Sequence, residues 1–315
     1  MSVLETYIPW SEARGVTVIP NAGAVRCTTV SSGAARRVTS VLVRKSNGDV
    51  QTLRINKALI VSAGAIASSR FLMRSEVGGQ HVGQDLSCNY AFPLIVEFDR
   101  EVDAFDGLQM TLFAAPGNHE CVFETTFNPP GTQSVMIAQY FDRHERMMKA
   151  YRKSMVLIAL VGSDPSGSVS PQPGLLYGRD VEWNQTPDEI TRIKRAFAIG
   201  TRIACEAGAS RVLLPSLPVL EVPCGPSAGP VMERFNAMIN DKKYFRFATP
   251  HPQGGNMMAA GTFDERVVGT DFRVRGCENL FVCDASVFPR GIRVNPQWSI
   301  MAVASSAGER IAAET

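Results

Sequence analysis

Residues 57–63 read KALIVSA, a near-continuous apolar run that stops at Gly64 and gives way to residues 65–75, which are spaced like a helix. Successive side chains on a strand point to opposite faces of a sheet, so a run without polar alternation describes a strand covered on both sides. Strand, tight turn and helix in that order are the pattern of a layered α/β arrangement. A second short run of the same kind, NLFVC at 279–283, ends at Asp284. The carboxyl edge of such strands is where α/β folds place ligands.

Around these two runs the pattern changes. Residues 16–19, 24–30 and 37–45 are β-branched or alternating, and Ser46-Asn47-Gly48-Asp49 is a hairpin turn signal after which 50–55 returns, giving a meander. From 85 to about 250 the chain reads as alternating strands broken by Pro- and Gly-rich joints at 116–117, 129–131 and 171–174, which suits an antiparallel sheet with loops. Within it Thr186-Pro187-Asp188-Glu189 is a helix start, with helical spacing over 190–207. Asn295-Pro296 opens a final helix over 297–313, with Trp298, Met301, Ala304 and Ile311 as its packing face. The expected fold is therefore α/β, more fully α+β, with three segments: 1–84, 85–250 and 251–315.

Composition excludes several function classes. Lys and Arg total 32 against 30 Asp and Glu, so there is no positive field to attract nucleic acid. The longest apolar stretches fall short of the ~20 residues that cross a bilayer, and residues 1–10 lack a basic region followed by an apolar run, so no membrane span is expected and the cytoplasm is the expected location. The seven cysteines are widely spaced without a Cys-x-x-Cys pair and are expected as reduced thiols, and with four histidines no metal site is expected.

Two segments could carry chemistry. In His251-Pro252-Gln253-Gly254-Gly255 the proline restrains the histidine and the glycines let backbone approach a ligand; the bland reading is an ordinary turn. In Val294-Asn295-Pro296-Gln297 the asparagine stands just before a helix; the bland reading is a cap, while the functional one uses the free N–H groups and partial positive charge of a helix start. The remaining histidines, His81, His119 and His144, read as surface or structurally satisfied groups. So do Met257, Met258 and Trp298 as packing.

Taken together, KALIVSAGAIASSRFLMRSEVGGQHVGQDL (57–86), HPQGGNMM (251–258) and NLFVCDASVFPRGIRVNPQWSIMAVASSAGERIA (279–312) resemble the glucose-methanol-choline (GMC) flavoprotein oxidoreductases. Within that family the ending looks closest to members with a His and Asn pair, such as cholesterol oxidases. The resemblance implies FAD as cofactor, a small-molecule alcohol as substrate, and proton abstraction from a CH–OH group coupled to hydride transfer to flavin N5. It implies His251 as the active-site histidine and Asn295 as its polar partner. It implies cofactor contacts at Val25 (adenine), Ala63 and Gly64 (the strand end along the dinucleotide), Asp284 and Ala285 (pyrophosphate and ribityl chain), and Asn295, Pro296 and Gln297 (the helix start under the pyrimidine ring).

The chain departs from the family in the Asp85-Leu86-Ser87-Cys88-Asn89 stretch, from which no function is carried over, and chiefly in an absence. No Gly-x-Gly-x-x-Gly turn for the pyrophosphate is present. The alternatives are a truncated gene, a partner chain supplying the N-terminal FAD-binding βαβ unit, or a non-catalytic remnant or partner subunit that keeps the fold. Absence of that unit would leave an unpaired edge on the parallel sheet.

Overall fold

The computed structural model describes residues 2–116, 120–137, 139–171, 180–238, 240, 246–259 and 266–315. His119, Gly117 and the joint at 172–174 lie outside the described residues. A short helix α1 (Tyr7–Glu12) precedes an antiparallel meander of β1 (Ala22–Ser32), β2 (Ala35–Lys45) and β3 (Val50–Arg54). β4 (Leu59–Val61) leads through Gly64 into α2 (Ala65–Arg74). β5 (Gln84–Ser87), β6 (Asn89–Glu97), β7 (Phe113–Ala114) and β8 (Cys121–Thr126) follow, then α3 (Pro130–Met136), α4 (Phe141–Lys149) and β9 (Ser154–Gly162). The chain continues through β10 (Ser168–Val169), β11 (Val181–Glu182), α5 (Pro187–Glu206), β12 (Arg211–Leu214), β13 (Leu220–Pro223) and α6 (Ala228–Met238). β14 (Gln253–Gly255), β15 (Leu280–Val282), a 3-10 turn at Ala285–Val287 and α7 (Gln297–Glu314) complete the described elements.

The expected mixed α/β fold is what forms, with two main cores. One lies between α5 and a six-stranded sheet of order β13-β12-β6-β9-β8-β7, whose pairings are all antiparallel. Thr186 starts α5 with a reciprocal capping box to Glu189, as its sequence predicts. Phe197 of α5 then meets Phe92 edge-on at 5.0 Å between ring centroids. β6 and β9 are buried on both faces, so they read as apolar runs rather than the expected alternation.

The second core joins the meander, α2 and β15. Here β4 pairs with β15 in parallel, Leu59 opposite Leu280 and Val61 opposite Val282. Buried Asn279 ties the layers: its Oδ1 accepts from Val38 N–H at 2.8 Å, and its Nδ2 donates to the Val38 and Lys57 carbonyls, each at 3.0 Å. Among the described residues β4 is paired along one edge only, and Ile60 at its centre is 48% exposed.

Three expectations are corrected. Residues 16–19 form no strand, because no neighbouring strand offers hydrogen bonds, and Val16, Val18 and Ile19 are exposed. The thiols are not all reduced: Cys205 and Cys224 form a disulfide, brought to a Cα separation of 5.2 Å when the β12–β13 hairpin returns the chain to the end of α5. Trp298 does not pack; α7 docks instead through Val303, Ala307 and Ile311, leaving the indole 81% exposed. No helix among the described residues is long and apolar enough to cross a membrane, and no cluster of His, Cys, Asp and Glu among them could hold a metal.

Candidate active site

The ends of the two parallel strands are locked to each other. Asp284, at the end of β15, accepts from Gly64 N–H at 2.9 Å and from the Ser68 hydroxyl at 2.5 Å through Oδ2, and from Ser286 N–H at 2.8 Å through Oδ1. The Ser68 hydroxyl in turn accepts from Ala63 N–H at 2.9 Å. The amides of Ala63 and Gly64 therefore point inward, and Asp284 serves as the bracket that shapes the strand ends. Gly64 itself needs to be glycine: its φ is 85°, and a Cβ there would meet open space. Ala285 is buried in the short turn that follows Asp284.

Beside β4 lies a cleft of about 540 Å³, walled by residues 22–24, 59–63 and the α2 arginines Arg70 and Arg74. Ala63 lines it. Val25 stands next to its wall as the extra residue of a β-bulge, since the β1–β2 register skips between Ala24 and Arg26. The structure thus gathers Ala63, Gly64, Asp284 and Ala285 at the carboxyl ends of β4 and β15, with Val25 beside the cleft wall.

His251 sits at a different place, just before β14. It is half-buried; its N–H donates to Thr249 Oγ1 at 3.1 Å, and its ring Nδ1 is buried with no partner among the described residues. Burial pushes the imidazole below its ordinary pKa, because the charged form loses hydration. The glycines after it do not open the backbone to a ligand, as their spacing suggested. Gly254 has φ 77°, and a Cβ there would lie 2.3 Å from the Asp85 carbonyl of β5; one on Gly255 would lie 2.5 Å from Ser69 Oγ. Close approach to the protein's own chain is what requires them.

Asn295 precedes α7, whose N-cap is Pro296, one residue later than the sequence suggested, and no side chain caps the helix. The asparagine is thus not consumed as a cap. Its Nδ2 donates to Glu124 Oε1 at 2.8 Å. Burial raises the Glu124 carboxyl pKa, and the bond from Asn295 opposes that rise. Pro296 is buried, whereas Gln297 is exposed at the first turn.

Sequence reasoning missed the residues that connect these segments. Gln253, fully buried, donates through Nε2 to the His251 carbonyl at 3.4 Å and accepts from Ile292 N–H through Oε1 at 3.2 Å, tying the His251 segment to the loop before Asn295. Asn89 Nδ2 donates to the Val294 carbonyl at 2.6 Å, fixing that loop to β6. Glu124 was legible only as a lone charge in an otherwise uncharged strand, CVFETT, and its partner is 171 residues away. The bland reading of His144 holds: its Nε2 lies 3.0 Å from the Ser134 carbonyl.

Two family models described as GMC oxidoreductase match the chain, an N-terminal one over residues 1–91 and a C-terminal one over 158–304. An uncharacterized GMC-type oxidoreductase of Mycobacterium tuberculosis is 30% identical over 288 residues, which are 89% of this chain and 43% of that protein. The chain thus spans less than half the length of that relative. Among solved structures, pyridoxine 4-oxidase from Mesorbium loti is similar with TM-score 0.63 at 18% identity, covering 92% of this chain and 57% of that one. An FAD-dependent oxidoreductase from Chaetomium thermophilum gives TM-score 0.63 at 14% identity, covering 99% and 64%. These two likenesses establish the fold.

Proposed function

This chain belongs to the GMC oxidoreductase family, whose members are FAD-binding flavoproteins, and from that premise we propose that it carries the proton-abstracting half of an FAD-dependent oxidation of an alcohol CH–OH group. The single observation that supports this most is the buried, partnerless Nδ1 of His251, in a segment that Gln253 ties to the loop before Asn295. A buried imidazole nitrogen without a partner is costly unless a ligand uses it. We further assign the chain to the His/Asn type within the family, and residues 85–250 to the substrate side.

The residues present fit the cofactor. The cleft beside β4 has the size of a nucleotide-bearing site, Gly64 leaves open space at a strand end, and α7 presents an uncapped first turn with Gln297 exposed. Residues of the cleft wall and Val25 would hold the adenosine portion, the Asp284–Ala285 turn would border the pyrophosphate, and the start of α7 would face the pyrimidine ring. When bound, FAD supplies the hydride acceptor. The chain's own part is proton handling and placement: His251 takes the hydroxyl proton of the alcohol, while the Asn295 amide hydrogen-bonds the substrate oxygen. Glu124 holds Asn295 in orientation and leaves its second N–H for that oxygen. The free edge of β4 supports a further part of the reading, that a βαβ unit outside these residues pairs there and completes the grip on FAD.

In the flavin-loaded protein, His251→Ala is expected to slow bleaching of the flavin band by an alcohol roughly 10²- to 10⁴-fold, the usual share of a general base; an unchanged rate would remove His251 from the reaction. Because the folded-state pKa is lowered, the neutral base persists as pH falls below ~6.5, and kcat/KM is expected to drop only beneath that value. The stability contributed by burying the neutral ring is present above ~6.5 and lost as pH falls through the folded value. An acid limb centred above pH 7 would contradict the burial of the ring. A non-catalytic subunit would show neither bleaching nor a His251-dependent limb.

A further inference from the structure

We propose that the apolar groove beside His251 seats the hydrocarbon body of the substrate, so that the alcohol oxidised here carries an alkyl or fused-ring portion rather than a polyhydroxylated one. This rests on the reading of His251 and Asn295 as the reacting end. The groove encloses about 350 Å³, within the range of ~300–1,000 Å³ usual for small-ligand sites. Ala91 and Pro93 of β6, Ile158 of β9 and Met136 of α3 line it, and residues 248–250, which lead directly into His251, close one side.

Strand register places the other predicted residue at the opposite border. Pro93 pairs with Ile158, Ile158 with Glu124, and Glu124 with Phe113, so these four side chains form one row across β6, β9, β8 and β7 on the same face of the sheet. Neighbouring strands lie ~4.8 Å apart, so Glu124 and the Asn295 amide it holds stand one strand beyond the groove floor. The groove is therefore bracketed by the His251 segment on one side and the Glu124–Asn295 pair on the other.

Its polar side chains are two, Asn128 and Thr249, and each is engaged in part. Asn128 donates through Nδ2 to Gln133 Oε1 and Met136 Sδ, and Thr249 Oγ1 accepts from His251 N–H. No charged side chain lines it. A sugar lying here would lose water from more hydroxyls than Asn128 and Thr249 could partner, whereas a methylene chain would gain by leaving water. The transfer of one methylene corresponds to about a fourfold gain in affinity.

The test is calorimetric titration of the full chain with straight-chain alcohols from 1-butanol to 1-dodecanol, with glycerol and glucose alongside. Affinity should climb about fourfold per methylene to a ceiling set by the groove, and the two polyols should give no saturable heat. Ile158→Phe, which fills the floor, should move the ceiling to shorter chains; Met136→Ala, which enlarges the groove, should move it to longer ones. A flat response to chain length in the unsubstituted protein overturns the proposal, as does an unmoved ceiling in both variants when circular dichroism shows them folded. Flavin bleaching reports the oxidoreductase reading separately: absent bleaching with the chain-length ladder intact sinks that reading and leaves the groove standing, while bleaching without a ladder does the reverse.

Discussion

The six-stranded sheet and the parallel pair of β4 and β15 bury apolar strands by different means. The larger sheet closes its β6, β9 and β8 strands between neighbours and covers one face with α5, so that Phe92, Phe123 and Phe197 are almost wholly removed from water. The parallel pair has three residues in each strand, an open edge on β4, and a cleft beside it. What replaces strand pairing there is a set of single polar anchors: Asn279 across the meander, β4 and β15, and Asp284 across the two strand ends. The first region is held by apolar contacts between sheet and helix; the second, within an apolar core of its own, adds a few directed bonds that also shape the candidate cofactor site.

Substitutions can break that contrast. Phe197→Ala is expected to cost about 3–5 kcal/mol in denaturant unfolding, the usual loss for a large ring removed from a closed core; a loss below about 1 kcal/mol would show that α5 is not the cover of the sheet. Asn279→Ala removes acceptor and donor from buried backbone groups and is expected to cost about 1–3 kcal/mol. Its signature should be local, with amide exchange accelerated in β4 and β15 and unchanged at the centre of β9. Uniform acceleration would mean that the two regions unfold together. Thr186→Ala sharpens the comparison at its small end: loss of the capping box should cost about 1 kcal/mol and leave exchange in β4 untouched.

Much of this architecture was legible in the chain because it depends on local rules. The apolar runs at 57–63 and 279–283 did become parallel strands, though only β15 is buried throughout and Ile60 of β4 is exposed; the Asn47-Gly48 turn did close the meander, and Thr186 did cap its helix, since periodicity, turn chemistry and capping act over a few residues. Residues 16–19 misled because β-branched composition makes a strand only where a partner strand is at hand. The glycines after His251 were read for the right property, freedom of backbone, with the wrong neighbour. Their close approach is to Asp85 and Ser69, which the sequence sets 169 and 186 residues away, as 254 − 85 and 255 − 69 show. Within the candidate site, His251 and Asn295 stood out through motif blocks, whereas Glu124 and Gln253 did not, because a lone Glu in a strand and a Gln beside glycines carry no local signature.

By itself the sequence determined the mixed α/β class, the existence of the two apolar strands, the start of α5, and which imidazole and which amide to examine, since each follows from the order of neighbouring residues. Tertiary structure alone decided that Asn295 leans on Glu124 rather than capping α7, that Gln253 joins the His251 segment to the final loop, and that Cys205 meets Cys224. These are contacts between residues far apart in the chain, and their geometry exists only once the intervening strands have paired and fixed the distances between them.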